Sequence, residues 1–336
     1  MIGKCSRILL AACLCLAGVL AWTATRPADI PFEKHTLDLG ANESCAIADI
    51  NGDGRPDIVS GENWYEGPHW IKHKFRSLPY TNNYIDNFSD LPLDVNGDGR
   101  VDIVSCSWFA HRLFWSENPG RGGGDWKEHT IETGSPVEFA FLVDLDNDGK
   151  AREVLPEFGD TNMPLAWYEV KNGEFVKHVV SPRSWGHGIG VGDVNGDGRN
   201  DIVTSMAHNY GIFWLEQGPD GQWTKHVIDE SWSQAHALTL VDLNGDGQKD
   251  LLTGKRYMAH NGHDPGEREP LGIYWYEFMR LDGGKKIEWV KHVVDYSTRT
   301  GGGMQIPVAD LYGHGDLDFV VAGKSGLYLF ENLTKH

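Results

Sequence analysis

Six acidic, glycine-spaced loops recur along the chain, and a chain that repeats one loop six times is held to a repeat architecture. Four of them match D-x-N-G-D-G-x-x-D and place side-chain oxygens at positions 1, 3, 5 and 9. These are Asp49, Asn51, Asp53 and Asp57; Asp94, Asn96, Asp98 and Asp102; Asp193, Asn195, Asp197 and Asp201; and Asp242, Asn244, Asp246 and Asp250. The third loop in chain order keeps Asp144, Asp146 and Asp148 but has Arg152 at position 9, with Glu153 one place later. The last keeps Asp310, Asp318 and both glycines, while Tyr312 and His314 take positions 3 and 5. Oxygen donors at this spacing suit a hard cation, and calcium accepts six to eight oxygens in flexible geometry. Glycine lets the backbone turn tightly enough to gather those donors. No Glu follows at position 12 and no helical pattern flanks the loops, which excludes an EF-hand. Each complete loop runs instead into a strand-like stretch such as Asp57-Ile-Val-Ser or Asp201-Ile-Val-Thr. The expectation is several structural calcium ions, each in a β-hairpin.

The loop starts are 45, 50, 49, 49 and 68 residues apart, and two further columns keep that period. One is Trp-x-Glu, at Trp64, Trp115, Trp167, Trp214 and Trp275, decaying to Leu329-Phe-Glu331. The other is Lys-His or a variant of it, at His35, His73, His129, His178, His226 and His292. Each unit therefore reads strand A, acidic loop, strand B, strand C with Trp, strand D with His. Four antiparallel strands per unit of roughly 50 residues make a propeller blade. The first His-bearing strand, residues 32–37, precedes the first loop, and the last copy stops short of a full D strand. The prediction is an all-β, six-bladed propeller over residues 32–336, closed by the N-terminal strand completing the last blade, which removes exposed sheet edges.

Ahead of that domain, Lys4 and Arg7 precede an apolar run from Ile8 to Trp22, too short to span a bilayer and read as an export signal over residues 1–21. The expected location is secreted, periplasmic or cell-surface, with no membrane span after processing. Only Cys45 and Cys106 follow the signal, so no disulfide framework is implied. The formal charge of −18 is largely made by the loops, which hold 17 aspartates at their ligand positions. No basic stripe is present, which argues against nucleic acid as a partner.

In its loops and blade columns the chain resembles the FG-GAP or VCBS repeat family, calcium-loop propellers that include integrin α-chain heads. The resemblance covers residues 32–331 and implies the fold without implying an activity. In architecture the chain is also similar to the propeller domain of aldos-2-ulose dehydratases and to propeller polysaccharide lyases.

A search for the site follows from the topology. The acidic loops join A to B and share one face with the C–D turns; the D–A and B–C connections lie on the other. Six residues before each loop the ring reads Glu43, Phe88, Glu138, His187, His236 and Met304, with Gln305 beside the last. His187, His236, Glu43, Glu138 and Gln305 are candidates for a second divalent metal at the channel mouth. The D-strand histidines and the Trp-x-Glu tryptophans recur in blade after blade and read as structural. Residues that do not repeat mark a ligand site on that face: Arg183, Trp185, Trp232, Arg256, His263 and Arg299, with Trp108, His111 and Lys324 nearby. Blade five adds a long B–C insertion, Lys255–Pro270, that reads as functional. Aromatics with cations and carboxylates suit a carbohydrate. One reading is a secreted monomer binding carbohydrate at one central site. A second is a carbohydrate lyase or dehydratase with a metal electrophile and His208, His260 or Lys255 as base. A third is a protein-binding adhesion module for a cell-surface ligand.

Overall fold

Alternating apolar and polar residues give each repeat four short strands, and each repeat forms one four-stranded antiparallel sheet. The computed structural model describes residues 29–121, 124–145, 148–158, 162–182, 189–281 and 286–335. The expected export segment and the candidates Asp146, Arg183, Trp185 and His187 lie outside the described residues. After β1 (Phe32–Asp38), blade one is β2 (Ala46–Ala48), β3 (Asp57–Ser60), β4 (Asn63–Glu66) and β5 (Ile71–Lys74). A small hairpin, β6 and β7 (Tyr80–Thr81 and Tyr84–Ile85), precedes blade two. Blade two is β8 (Ser89–Leu93), β9 (Asp102–Ser107), β10 (Arg112–Glu117) and β11 (Lys127–Thr133). Blade three is β12 (Val137–Val143), β13 (Glu153–Phe158), β14 (Leu165–Lys171) and β15 (Glu174–Ser181). Blade four is β16 (Ile189–Gly192), β17 (Asp201–Ser205), β18 (Tyr210–Gln217) and β19 (Trp223–Ser233). Blade five is β20 (Ala235–Val241), β21 (Asp250–Lys255), β22 (Gly272–Leu281) and β23 (Lys286–Tyr296). Blade six is β24 (Val308–Ala309), β25 (Asp318–Gly323) and β26 (Gly326–Asn332), with β1 paired antiparallel to β26 as its outer strand. The N-terminal strand thus closes a six-bladed propeller. Among the described residues no helix is long and apolar enough to cross a membrane.

The acidic loops hold their shape through the ninth residue. Asp57, Asp102, Asp201, Asp250 and Asp318 are buried, and each accepts at least two backbone N–H groups. One carboxylate oxygen takes the N–H at loop position 2, at 2.9 Å from Ile50 and 3.0 Å from Val95. The other takes the N–H that follows strand C, at 2.9 Å from Gly67 and 2.8 Å from Asn118. This bracket ties the A–B loop to the far end of strand C and leaves a lone pair on each oxygen. Blade three keeps the loop half of it from one residue further on: Glu153, buried where Arg152 is not, accepts the Leu145 N–H at 2.9 Å. Burial pushes Asp102 up to about 6 and Asp250 to about 7, against the hydrogen bonds that lower them.

The two repeated columns form one relay. Trp64 lies opposite His73 in the β4–β5 register and stacks on it at 4.2 Å; Trp115, Trp167, Trp214 and Trp275 do the same with His129, His178, His226 and His292. Two residues on, and so on the same strand face, the Glu accepts from His Nε2, as at Glu66–His73 (2.8 Å). In the four complete repeats its second oxygen accepts the side-chain amide of loop position 3, as from Asn244 to Glu277 at 3.1 Å. The Asn carbonyl is thereby turned into the loop, where it accepts the N–H of position 5.

Blades also associate in pairs. Tyr65, Tyr168 and Tyr276, in blades one, three and five, hydrogen-bond Asp38, Glu132 and Asp229 on the outer strand of the preceding blade, at 2.6, 2.7 and 2.6 Å. Lys72, Lys177 and Lys291 reach the same carboxylates. Burial opposes ionisation there, yet the Tyr and Lys hydrogen bonds win and hold Asp229 down at about 2. Three apolar clusters follow this pairing, joining blades two and three, four and five, and six and one. Lys34 of β1 also pairs with Asp295 of blade five at 2.5 Å, so the closing strand is fastened on both sides.

Replacing Asp102 by Ala strands two buried N–H groups, each costing about 1–3 kcal/mol. The expected loss is at least about 2 kcal/mol in denaturant unfolding, with Asp102→Asn milder because its amide keeps one acceptor. A loss below about 0.5 kcal/mol, the range of an ordinary surface substitution, would refute the bracket.

Candidate central ligand site

The inner strands begin at the face opposite the acidic loops. On β20, His236 precedes Asp242 by six residues, so about 20 Å of strand separates the two ends. Between them runs an apolar channel of about 290 Å³, lined by residues such as Ile47, Leu91, Phe141, Leu238 and Ile306. The polar site sits on top of this plug.

Its centre is Arg256, buried at the start of the blade-five insertion. The Arg256 Nε donates to Glu43 Oε2 at 3.0 Å, and its Nη1 lies 3.5 Å from Glu138 Oε1. The rings of Tyr84 and Phe88 flank the guanidinium at 5.8 and 5.6 Å. The guanidinium is thus already matched by two carboxylates and is not a spare clamp for an acidic ligand. Glu43 keeps one buried oxygen, Oε1, without a hydrogen-bond partner.

Beside this pair stand His208 and His236. One donor atom each from Glu138, His208 and His236 lie within 4.8 Å of one another, and His208, His260 and Asp264 form an adjoining group with the same spread. His208 Nδ1 is 3.0 Å from Asp264 Oδ2, and His260 Nδ1 is 3.0 Å from the same carboxylate. The His208 ring stacks on His260 at 4.1 Å and meets His236 edge-on at 4.8 Å. Burial, helped by the charge of Arg256, pushes His236 well below its ordinary pKa; burial and His260 lower His208. Backbone strain accompanies the cluster: Gln234 and Ala207, each next to or two residues from a cluster histidine, have φ of +72° and +37°.

A cleft of about 260 Å³ opens above this floor. Tyr84, Phe88, Trp108 and Phe109 form one wall, and Glu138, Arg256 and His260 the polar side. The blade-five insertion is an ordered cap: its buried Glu267 accepts the N–H groups of His260 and Asp264. Lys324 adds a cation 3.5 Å over the Tyr84 ring, and burial lowers its pKa to about 8.

Several expected residues stand elsewhere. Lys255 is buried and donates to the Ser233 carbonyl and hydroxyl at 3.2 and 3.0 Å, which removes it as a base in the cleft. Trp232 is buried between blades four and five, its indole N–H bound to Tyr276 at 2.8 Å, so it offers no sugar platform. Gln305 accepts the Asp90 N–H at 2.8 Å and is a backbone clamp, and Glu43 is taken by Arg256, so neither joins a metal set. His263 and Arg299 are exposed and outside the cleft lining. Tyr84, Phe109, Gln234 and Asp264 were missed. Asp264 had a signal, four residues after His260 within the insertion; Tyr84 had none, since only folding brings its hairpin over the channel.

Residues 94–151 and 193–253 match the FG-GAP-like repeat model. Two stretches of the chain are thus FG-GAP-like repeats, and they lie within a six-bladed propeller. Among solved structures it is similar to an auxiliary nutrient binding protein from Bacteroides ovatus ATCC 8483, at 8% identity and a TM-score of 0.47, over 90% of this chain and 77% of that one. No curated protein matches it in sequence.

Replacing Arg256 by Met should cost about 3–5 kcal/mol, because Glu43 is left as an uncompensated buried charge. Adding Glu43→Gln should recover much of that loss; additive costs in the double-mutant cycle would show that the pair is not coupled.

Proposed function

We propose that the chain is an exported, calcium-stabilised monomer that binds a carbohydrate in one cleft on the face opposite its acidic loops. The observation that carries this reading is a cleft, among the described residues, in which an aromatic wall faces carboxylate, guanidinium and imidazole groups. The partly buried Trp108 ring offers a face to the apolar side of a sugar, and the polar side orients its hydroxyls. A lectin with a repeated site would carry these residues in several blades, whereas this wall is drawn from one inter-blade connection and blade two. Trp108→Ala is expected to weaken oligosaccharide binding at least about tenfold in calorimetry, equivalent to about 1.4 kcal/mol. If no neutral or uronic-acid oligosaccharide binds the parent chain, the reading gives way to a protein-binding module.

Calcium in the acidic loops supports the scaffold. The four complete loops fit the ion: carboxylates stand at positions 1 and 5, and the relay turns the Asn carbonyl of position 3 inward. The last loop does not. It keeps the turn, with Gly313 and Gly315 at φ +75° and +83°, but the Tyr312 hydroxyl accepts from Trp70 Nε1 at 3.2 Å. Asp310 and Asp318 serve that turn through backbone hydrogen bonds. Each calcium held at 100 times its Kd adds about 2.7 kcal/mol. Chelation should therefore lower the melting temperature by at least about 5 °C per site lost, and an unchanged melt would sink the calcium assignment.

A second reading, elimination from a uronic acid or keto sugar, is favoured by the donor set converging on the cleft floor. His260, half-exposed and stacked on His208, is its candidate base. A second divalent ion belongs to this reading.

A further inference from the structure

We propose that Glu138, His208 and His236 form a transition-metal site at the floor of the cleft, with Asp264 and the Gln234 carbonyl orienting the two imidazoles from behind. The role of this ion toward a ligand rests on the reading of the cleft as a carbohydrate site; the metal site itself does not.

Hydrogen bonding selects the imidazole tautomers. His236 Nδ1 lies 3.2 Å from the Gln234 carbonyl, which only accepts, so Nδ1 carries the proton and Nε2 the lone pair. That Nε2 is buried and has no hydrogen-bond partner. His208 Nδ1 lies 3.0 Å from the Asp264 carboxylate, which fixes the same tautomer. Backing of a ligand imidazole by a carboxylate or a carbonyl is the usual second layer of a metal centre. Gln234 reaches Asp264 as well, its Nε2 3.4 Å from Oδ2, which links the two supports.

Charge and donor type point the same way. Glu43 and Glu138 face the Arg256 guanidinium, and Asp264 binds His208 and His260, so carboxylates outnumber the guanidinium around the two imidazoles and favour a dication there. Two imidazole nitrogens with one carboxylate oxygen select zinc, cobalt, iron or manganese over calcium, which the all-oxygen loops prefer. Around a tetrahedral ion with bonds of about 2.1 Å the donors stand about 3.4 Å apart. The observed spread of up to 4.8 Å therefore closes with side-chain shifts of about an ångström. Three protein donors leave at least one coordination position, and Glu138 lines the cleft, so that position is available to a sugar hydroxyl or carboxylate. His260, stacked on His208 and sharing Asp264, fastens the blade-five insertion to the centre.

The test is titration of the chelator-stripped full chain with Co²⁺ in millimolar calcium, which keeps the loops filled, followed by visible absorption and metal analysis. One equivalent of Co²⁺ with the absorption of a low-coordinate nitrogen–oxygen site is expected, displaced by Zn²⁺. His208→Ala and His236→Ala should abolish it, and His236→Gln guards against a variant that fails to fold, its melting temperature in calcium being the check. Asp264→Asn should weaken Co²⁺ by about 10–100-fold without abolishing it, whereas a merely structural Asp264 would leave affinity unchanged. Exposed His263→Ala should bind as the parent does. A parent chain that takes up no Co²⁺ or Zn²⁺, or a folded His208→Ala or His236→Ala variant that binds like the parent, overturns the proposal. Metal uptake without oligosaccharide binding would refute only the carbohydrate reading, and oligosaccharide binding by a chain that takes up no metal would refute only the site.

Discussion

A buried carboxylate with both oxygens given to backbone N–H groups is the interaction on which the propeller depends. In five blades it comes from an Asp that opens strand B, and in blade three Glu153, whose longer side chain makes up for its later position, supplies the contact to the loop. Such a group is costly to bury unless its oxygens are used, and in the five Asp brackets both are. It fixes the A–B loop to the end of strand C, so the loop's remaining carboxylates are held in place by the protein itself. This is why the last loop survives the loss of its donors at positions 3 and 5: Asp318 still supplies the bracket.

The repeated Trp, Glu and His columns extend the same logic outward. Trp stacks on His, His is bound by Glu, and Glu orients the loop Asn, so a side chain on the outermost strand sets the direction of a carbonyl in the loop. The histidines and tryptophans thus have structural tasks, and their regularity reflects the regularity of the loops they support. The ring itself is assembled in pairs, with Tyr65, Tyr168 and Tyr276 binding acids of the preceding blade. In blades two, four and six the corresponding positions are Ser116, Leu215 and Phe330, which form no such bond to the blade before. The alternation is visible in the sequence once its partners are known.

The functional face follows the opposite rule. Nothing there repeats. Arg256 and Asp264 come from the blade-five insertion, Glu138 and His236 from two inner strands, His208 from a turn of blade four, and Tyr84 from a hairpin between blades. Burial lowers the pKa of both histidines, and the buried ion pair of Arg256 and Glu43 keeps the floor polar. The side chains that seemed most reactive in isolation are quiet for physical reasons: Lys255 is folded under its own insertion, and Trp232 is consumed by a blade interface.

The sequence by itself determined the architecture: the number of blades, the closing strand and the face on which the loops lie. Those properties are periodic, and periodicity survives in one dimension because each blade forms its own sheet from consecutive strands, the closing strand apart. It also singled out His236, Glu138, His208 and the insertion, since residues that break a period are conspicuous. Only the tertiary structure decided which of them meet. Glu43 and Arg256 are 213 positions apart, and His208 and Asp264 are 56 apart; no local pattern encodes such distances. Whether a carboxylate is a ligand or a counter-ion depends on what the ring brings against it, and here closure set Glu43 against Arg256 and Glu138 between Arg256 and the two histidines.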